Sequence, residues 1–275
     1  MGRLPVGEPG VFDALPTAWL RRYVHRYTAF TEPAARAAVR RQVPRTEIVM
    51  IFSWGDAFLM SDPRTANGGT VLRSFVAGLH DSYVLVSNTG GSHGIQVDLT
   101  PVGARMLLGV PMYEVANRTI GLEEVAGRWS ATAVARLAEA PGWSSRFAIL
   151  DEILAARIRA AGPVDPRVRR AWARLRGSQG RLAIASLAED VGWSHRHLLA
   201  RFKEEVGLPP KAVARILRFQ RAFDYVRRDS GTPWAEVAQL CGYYDQAHML
   251  REFRGFAGAP PARLALAKPA EIRHG

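Results

Sequence analysis

Apolar and polar positions change rhythm along the chain. Between residues 20 and 100 the apolar residues fall in short or alternating runs such as Glu47–Phe52, Tyr83–Ser87 and Gly94–Leu99. That is the period-2 habit of strands, although short apolar runs also suit buried helix segments. Asp62-Pro63, Asn67-Gly68-Gly69 and Asn88-Thr89-Gly90-Gly91 separate the runs and carry turn chemistry. Strands of this length and spacing predict a small barrel or sandwich.

From residue 101 the period becomes helical. Pro101 stands at the entrance of a short helix, Val102–Leu108. Helices are expected over 130–139 and 145–160; in the second, Phe147, Leu150, Ile153, Leu154 and Ile158 fall near one face. Ala161-Gly162-Pro163-Val164-Asp165-Pro166 then breaks the pattern. The expectation is an α+β chain of two domains. Residues 1–162 form a β-rich barrel-like or sandwich-like domain ending in helices, and 163–275 an all-α domain.

The all-α part repeats itself at about 50 residues. IASLAEDVGWSHRHLLARFKEEVGLPP (184–210) is followed by WAEVAQLCGYYDQAHMLREFRGFAGAPP (234–261). Leu187-Ala188 matches Val237-Ala238, and Val191-Gly192-Trp193 matches Cys241-Gly242-Tyr243. After one inserted residue, Phe202 matches Phe253 and Gly207 matches Gly258. Gly192 and Gly242 suit a positive φ at the end of a first helix of about ten residues. Ser194 and Asp245 are good N-caps for a second helix, into whose core Phe202 and Phe253 can pack back. Each copy therefore reads as a helix-turn-helix, about 182–206 and 232–257; an ordinary pair of α-hairpins is the plainer alternative. Between them, Pro210 to about Arg228 reads as one long helix spanning about 27 Å, against roughly 34 Å between successive major-groove faces.

These motifs resemble the C-terminal domain of AraC/XylS-family transcription regulators. The resemblance covers about residues 165–266 and rests on LA…GWS…L…RFK…G.PP, on Arg218–Ala222, and on VA..CGY.D..HM.REF…G.PP. GIQVDLTP and the following LLGVP look like a sensory domain found in some members. The resemblance implies a sequence-specific regulator whose partner is double-stranded promoter or operator DNA. In the first unit it points to Arg196, Leu199 and Ala200 as the base-facing set. Arginine can bind guanine bidentately, and Leu199 or Ala200 can meet a thymine methyl; the family often has a polar or basic residue at the position of Ala200. In the second unit Gln246, Ala247 and Arg251 stand at matching places, with Gln246 suited to adenine and Arg251 to guanine or phosphate. Arg201, Lys203, Arg215, Arg218, His248 and Arg254 are phosphate candidates, each equally readable as a solvated or structural residue. Cys241 corresponds to Val191 and reads as a small core residue.

Composition agrees and narrows the choice. The net charge is +12, and it is unevenly placed. Residues 1–160 carry 17 basic and 14 acidic residues, whereas 161–275 carry 20 and 11. The excess sits where a polyanion would dock. Arginine supplies 34 of the 37 basic residues, which suits phosphate and guanine. With 48% hydrophobic residues in 275 the chain can bury a large core. It has no run of 18 apolar residues and no signal-like N-terminus, so a cytoplasmic protein without membrane contact is expected. His25, His80 and His93 are too dispersed for a metal site, and no cofactor motif is found.

Two rivals remain. An enzyme with this DNA-binding tail, such as an alkyl-transfer repair protein, needs a nucleophilic cysteine outside the two units, and Cys241 is the only cysteine. A nonspecific architectural binder would share the charge without a preferred site. The β-rich part has three roles open to it: binding a small-molecule effector, making a homodimer, or both. An activator would also meet RNA polymerase. Trp54, Phe58, Phe75 and Tyr83 line either a pocket or the core.

Overall fold

The computed structural model describes residues 10–32, 38–65, 69–88, 90–228, 231–265 and 272–274. The expected turns at Asn67-Gly68 and Thr89 lie outside these residues. The β part holds two sheets. Strands β1 (Gly10–Ala14), β2 (Val24–Thr31), β9 (His93–Leu99), β4 (Ile48–Ser53), β7 (Phe75–Ala77) and β10 (Thr119–Gly121) lie in that order in one. The other runs β11 (Ile272–His274), β3 (Ala38–Val43), β8 (Val84–Asn88), β5 (Phe58–Ser61) and β6 (Thr70–Leu72). Among the described residues neither sheet closes on itself, so of the two expected arrangements the sandwich is the one found. All pairings are antiparallel except β11 with β3. That parallel pair returns the far end of the chain to the β part, which the all-helical pattern after residue 163 did not foretell.

Strand β4 shows why its sequence, IVMIFS, carries no polar position until its end. All six of its residues are buried. Ile48, Met50 and Phe52 belong to the large core shared with the helices, while Val49 and Ile51 belong to a smaller cluster between the sheets with Phe30, Phe58, Met60 and Phe75. A period of two thus serves two cores, one on each face.

Helices α1 (Pro101–Leu108), α2 (Leu122–Ala126), α3 (Arg128–Glu139) and α4 (Trp143–Ala160) cover the first sheet. Thr100 caps α1, its hydroxyl accepting from the Gly103 N–H at 3.0 Å, and Pro101 occupies the first turn, where its missing N–H costs nothing. Trp129 of α3 meets Phe52, and Trp143 of α4 meets Trp54. After the extended 161–165 connection come α5 (Pro166–Gly177), α6 (Ile184–Asp190), α7 (His195–Val206), α8 (Pro210–Arg227), α9 (Trp234–Leu240), α10 (Gln246–Ala257) and α11 (Pro261–Ala265). The two units are therefore α6–α7 and α9–α10. Their first helices have seven residues each, shorter than the ten expected from pattern.

Candidate nucleic-acid interface

The two turns are built alike. In the first, the Gly192 N–H donates to Glu189 O at 3.0 Å and the Trp193 N–H to Ala188 O at 3.0 Å. In the second, Gly242 donates to Gln239 O at 3.1 Å and Tyr243 to Ala238 O at 2.9 Å. These paired bonds form a Schellman motif, which needs a left-handed residue after the helix. Gly192 and Gly242 supply it at φ +68° and +79°. Two residues on, Ser194 Oγ accepts from the His197 N–H at 3.3 Å, and in the other unit, three residues on, Asp245 Oδ1 accepts from the His248 N–H at 2.6 Å. Stop signal, turn and start signal thus recur in both copies.

Each second helix buries one stripe and exposes the other. Leu198, Phe202 and Val206 are buried on α7, as are Met249, Phe253 and Ala257 on α10, at identical spacing. Opposite them, Arg196, Ala200 and Lys203 are exposed on α7, and Ala247, Arg251 and Arg254 on α10. His195, His197 and Gln246 are exposed in the first turns, while Leu199 and Leu250 are half-buried. The exposed stripes hold matching positions with arginine and alanine exchanged: Arg196 faces the place of Ala247, and Ala200 that of Arg251. Arg196, Lys203, Arg251 and Arg254 form no ion pair among the described residues.

The remaining basic candidates have partners within the domain. Arg201 bonds Glu204 at 2.6 Å and Glu205 at 3.3 Å on its own helix. Arg215 Nε donates to Glu252 Oε1 at 2.5 Å and its guanidinium lies over the Phe256 ring. Arg218 donates to Gly180 O at 2.8 Å and lies 5.9 Å from the Tyr243 ring centre, so it ties α8 to the connection before α6 and to the turn of the second unit. His248 packs edge-on against Tyr243 and sits 3.7 Å from Glu252. Arg201 and His248 thus find their partners within their own units, whereas Arg215 and Arg218 join α8 to the second unit. Phe219 of α8 does the same from the apolar side, meeting Phe253 and Phe256 at 4.9 and 5.0 Å. Cys241 is fully buried, and burial pushes its thiol up to about 11, which removes it from nucleophilic chemistry at neutral pH.

Sequence pattern passed over Tyr244. It immediately precedes the Asp245 cap and is 94% exposed, so a phenol stands beside the open N-terminus of α10. A bulky apolar residue directly before an N-cap is the signal that could have found it.

The β part approaches both units. Helix α1 and the 3-10 turn Met112–Glu114 pack on α7. On β3, Arg41 donates from Nη1 to Ala257 O at 2.9 Å, at the end of α10, while its guanidinium lies 4.8 Å over Tyr83. Its strand neighbours Arg40 and Gln42 instead line a cavity of about 140 Å³ between the sheets. Phe30, Ile51, Phe58, Met60 and Phe75 form apolar walls there, with Arg45, Glu47, His80 and Gln96 as polar groups. Arg45 is held by Asp98 and Glu47. Burial acts to raise the Glu47 carboxyl, yet His25 and Arg45 outweigh it and leave the group well below the usual carboxylate range. Of the four aromatics in question, Phe58 and Phe75 line this cavity, Trp54 packs on the helical side, and Tyr83 packs at the junction with α10.

Residues 187–266 match the family described as a helix-turn-helix domain, and residues 13–121 match a domain of unknown function (DUF6597). No curated protein matches the chain. Among solved structures, the C-terminal domain of AraT, a response regulator from Geobacillus stearothermophilus, is similar at 25% identity, covering 38% of this chain and 87% of that one with a TM-score of 0.35. ToxT from Vibrio cholerae is similar at 7% identity over 94% of this chain and 97% of that one, with a TM-score of 0.47. A ToxT structure with bound unsaturated fatty acid gives 10% identity, 97% and 99% coverage and a TM-score of 0.46.

Proposed function

We propose that this chain, whose C-terminal part is a helix-turn-helix domain of the AraC type, is a sequence-specific transcription regulator that lays α7 and α10 into adjacent major-groove segments of double-stranded DNA. The observation that carries the reading is the pair of matched exposed stripes on two identically capped helices, held at one separation by α8. Arg196 and Arg251 are the guanine readers and Gln246 the adenine reader, with Leu199, Ala200 and Ala247 beside them for thymine methyls. Lys203 and Arg254 meet phosphate, and Arg201, Arg215, Arg218 and His248 act as braces that keep the readers in place. Because arginine and alanine exchange places between the stripes, one chain reads a nonpalindromic site.

The cavity between the sheets is the place for a small-molecule effector. Its lining strand β3 carries Arg41 to the end of α10, which offers a physical route from cavity to DNA reader. The β part is also the surface proposed for a homodimer.

The test is a binding-site selection on random duplexes with the purified chain. A single asymmetric motif with two blocks about one helical turn apart is expected. Salt-sensitive binding to every duplex, with no motif enriched, would instead make the protein an architectural binder.

A further inference from the structure

We propose that the cleft between α1, α4, the 161–165 connection and α7 binds a small organic oxyanion, a carboxylate or a phosphate monoester, at a site separate from both the DNA face and the intersheet cavity. The cleft encloses about 640 Å³ and is lined by Arg105 and Leu108 of α1, Arg157 and Ala160 of α4, Val164 of the connection, and Glu205 of α7.

Three buried polar atoms on this cleft's side chains make no hydrogen bond among the described residues: Arg105 Nε, Arg157 Nε and Glu205 Oε2. Native proteins rarely leave such groups unmatched, so their gathering on one cleft calls for a partner. Arg105 Nε and Glu205 Oε2 are 3.5 Å apart, an ion pair without hydrogen-bond geometry. Arg157 has no carboxylate partner among the described residues; its guanidinium lies 4.4 Å over the Trp129 ring. The three side chains sum to one positive charge.

Two of the three atoms, Arg105 Nε and Arg157 Nε, are donors on positive groups, so their missing partner is an acceptor that carries negative charge, which Glu205 Oε2 opposes. An oxyanion offers planar oxygens that match the guanidinium fork, which a halide or a neutral alcohol does not. Leu107, Leu108, Pro163 and Val164 also line the cleft, so an organic body has apolar surface to cover there. Glu205 makes the site more than a passive one. It is 5% exposed and lies on the helix that presents Arg196, where it also holds Arg201 at 3.3 Å. An anion drawing Arg105 away from Glu205 changes how α7 is fastened to α1.

Isothermal calorimetry on the full chain without DNA tests the site, with hexanoate, hexyl phosphate and inorganic phosphate as probes at constant ionic strength, and hexanol as the neutral control. Saturable binding is expected for hexanoate or hexyl phosphate, and the stronger of the two identifies the headgroup. Hexanol should not bind, and Arg157→Gln should weaken the anion at least tenfold. Glu205→Gln keeps the shape but removes the competing charge, and should tighten it at least threefold. Absence of saturable binding, or binding that neither variant changes, overturns the proposal. Inorganic phosphate binding as well as hexyl phosphate overturns the organic ligand class. None of these results depends on whether the chain recognises a DNA sequence.

Discussion

Tyr83 of the β part rests directly on Gly258, the residue that ends α10. A Cβ on Gly258 would lie 2.5 Å from Tyr83 Cε1, and the glycine has φ +67°. Two demands therefore coincide at one position, a left-handed backbone and room for an aromatic ring.

Gly258→Ala should destabilise the chain by more than the roughly 1–2 kcal/mol of left-handed strain alone. Gly192→Ala supplies the comparison, because Gly192 has φ +68° with nothing among the described residues within 4 Å of the added Cβ. Urea denaturation should rank Gly258→Ala below Gly192→Ala. Adding Tyr83→Ala should recover part of the loss, a nonadditivity that contacting residues show. Equal losses in the two alanine variants would mean that the ring yields freely.

Arg196→Ala should cost about 1–3 kcal/mol on the preferred duplex and relax specificity at one base position. Repeating the binding-site selection with the variant measures this. An unchanged motif would remove Arg196 from the readers.

Phosphate contacts and braces should separate by salt. Lys203→Ala and Arg254→Ala should weaken binding on all duplexes alike and each lower the slope of log K against log salt by about 1. Arg215→Ala should leave that slope unchanged and lower the melting temperature instead, since it strips the buried Glu252 of its partner. Fluorescence anisotropy across a salt series, with a thermal melt of each variant, distinguishes the roles.

His80 should make the protein acid-sensitive. Burial is the main cause that holds its imidazole below the usual value, against the carbonyl of Gly78 and the charges of Asp62 and Asp81, with Arg64 acting alongside burial. A depressed folded value means that the unfolded chain takes up the proton first. The stability is therefore complete above about pH 6.5 and declines as pH falls toward the folded value. His80→Asn, which can keep a donor toward Gly78 O, should flatten the dependence of urea midpoint on pH between about 6.5 and 5. If the parent and variant curves run parallel, His80 is not the source.

What the sequence made legible was whatever local backbone chemistry demands. Gly192 and Gly242, Ser194 and Asp245 announce turn and cap whatever surrounds them, so the repeat and both α7 and α10 could be read directly. Arg201, Arg215 and Arg218 could not be sorted from Arg196, because an arginine looks the same whether its carboxylate lies three residues away or 37. The same limit hid Arg41 and Tyr83, whose partners at 257 and 258 sit across the fold. In β4 an unbroken apolar run signals burial, but only the sheet reveals that alternate residues face two different cores.

Helix α8 fixes more than a distance. Each residue added between Pro210 and Arg227 would advance its far end by about 1.5 Å and turn it by about 100°. The second unit would then either swing out of phase with the first or give up the contacts of Phe219 with Phe253 and Phe256. Substitutions on its exposed face leave that angular relation intact, so this segment should accept a change of letter far more readily than a change of length.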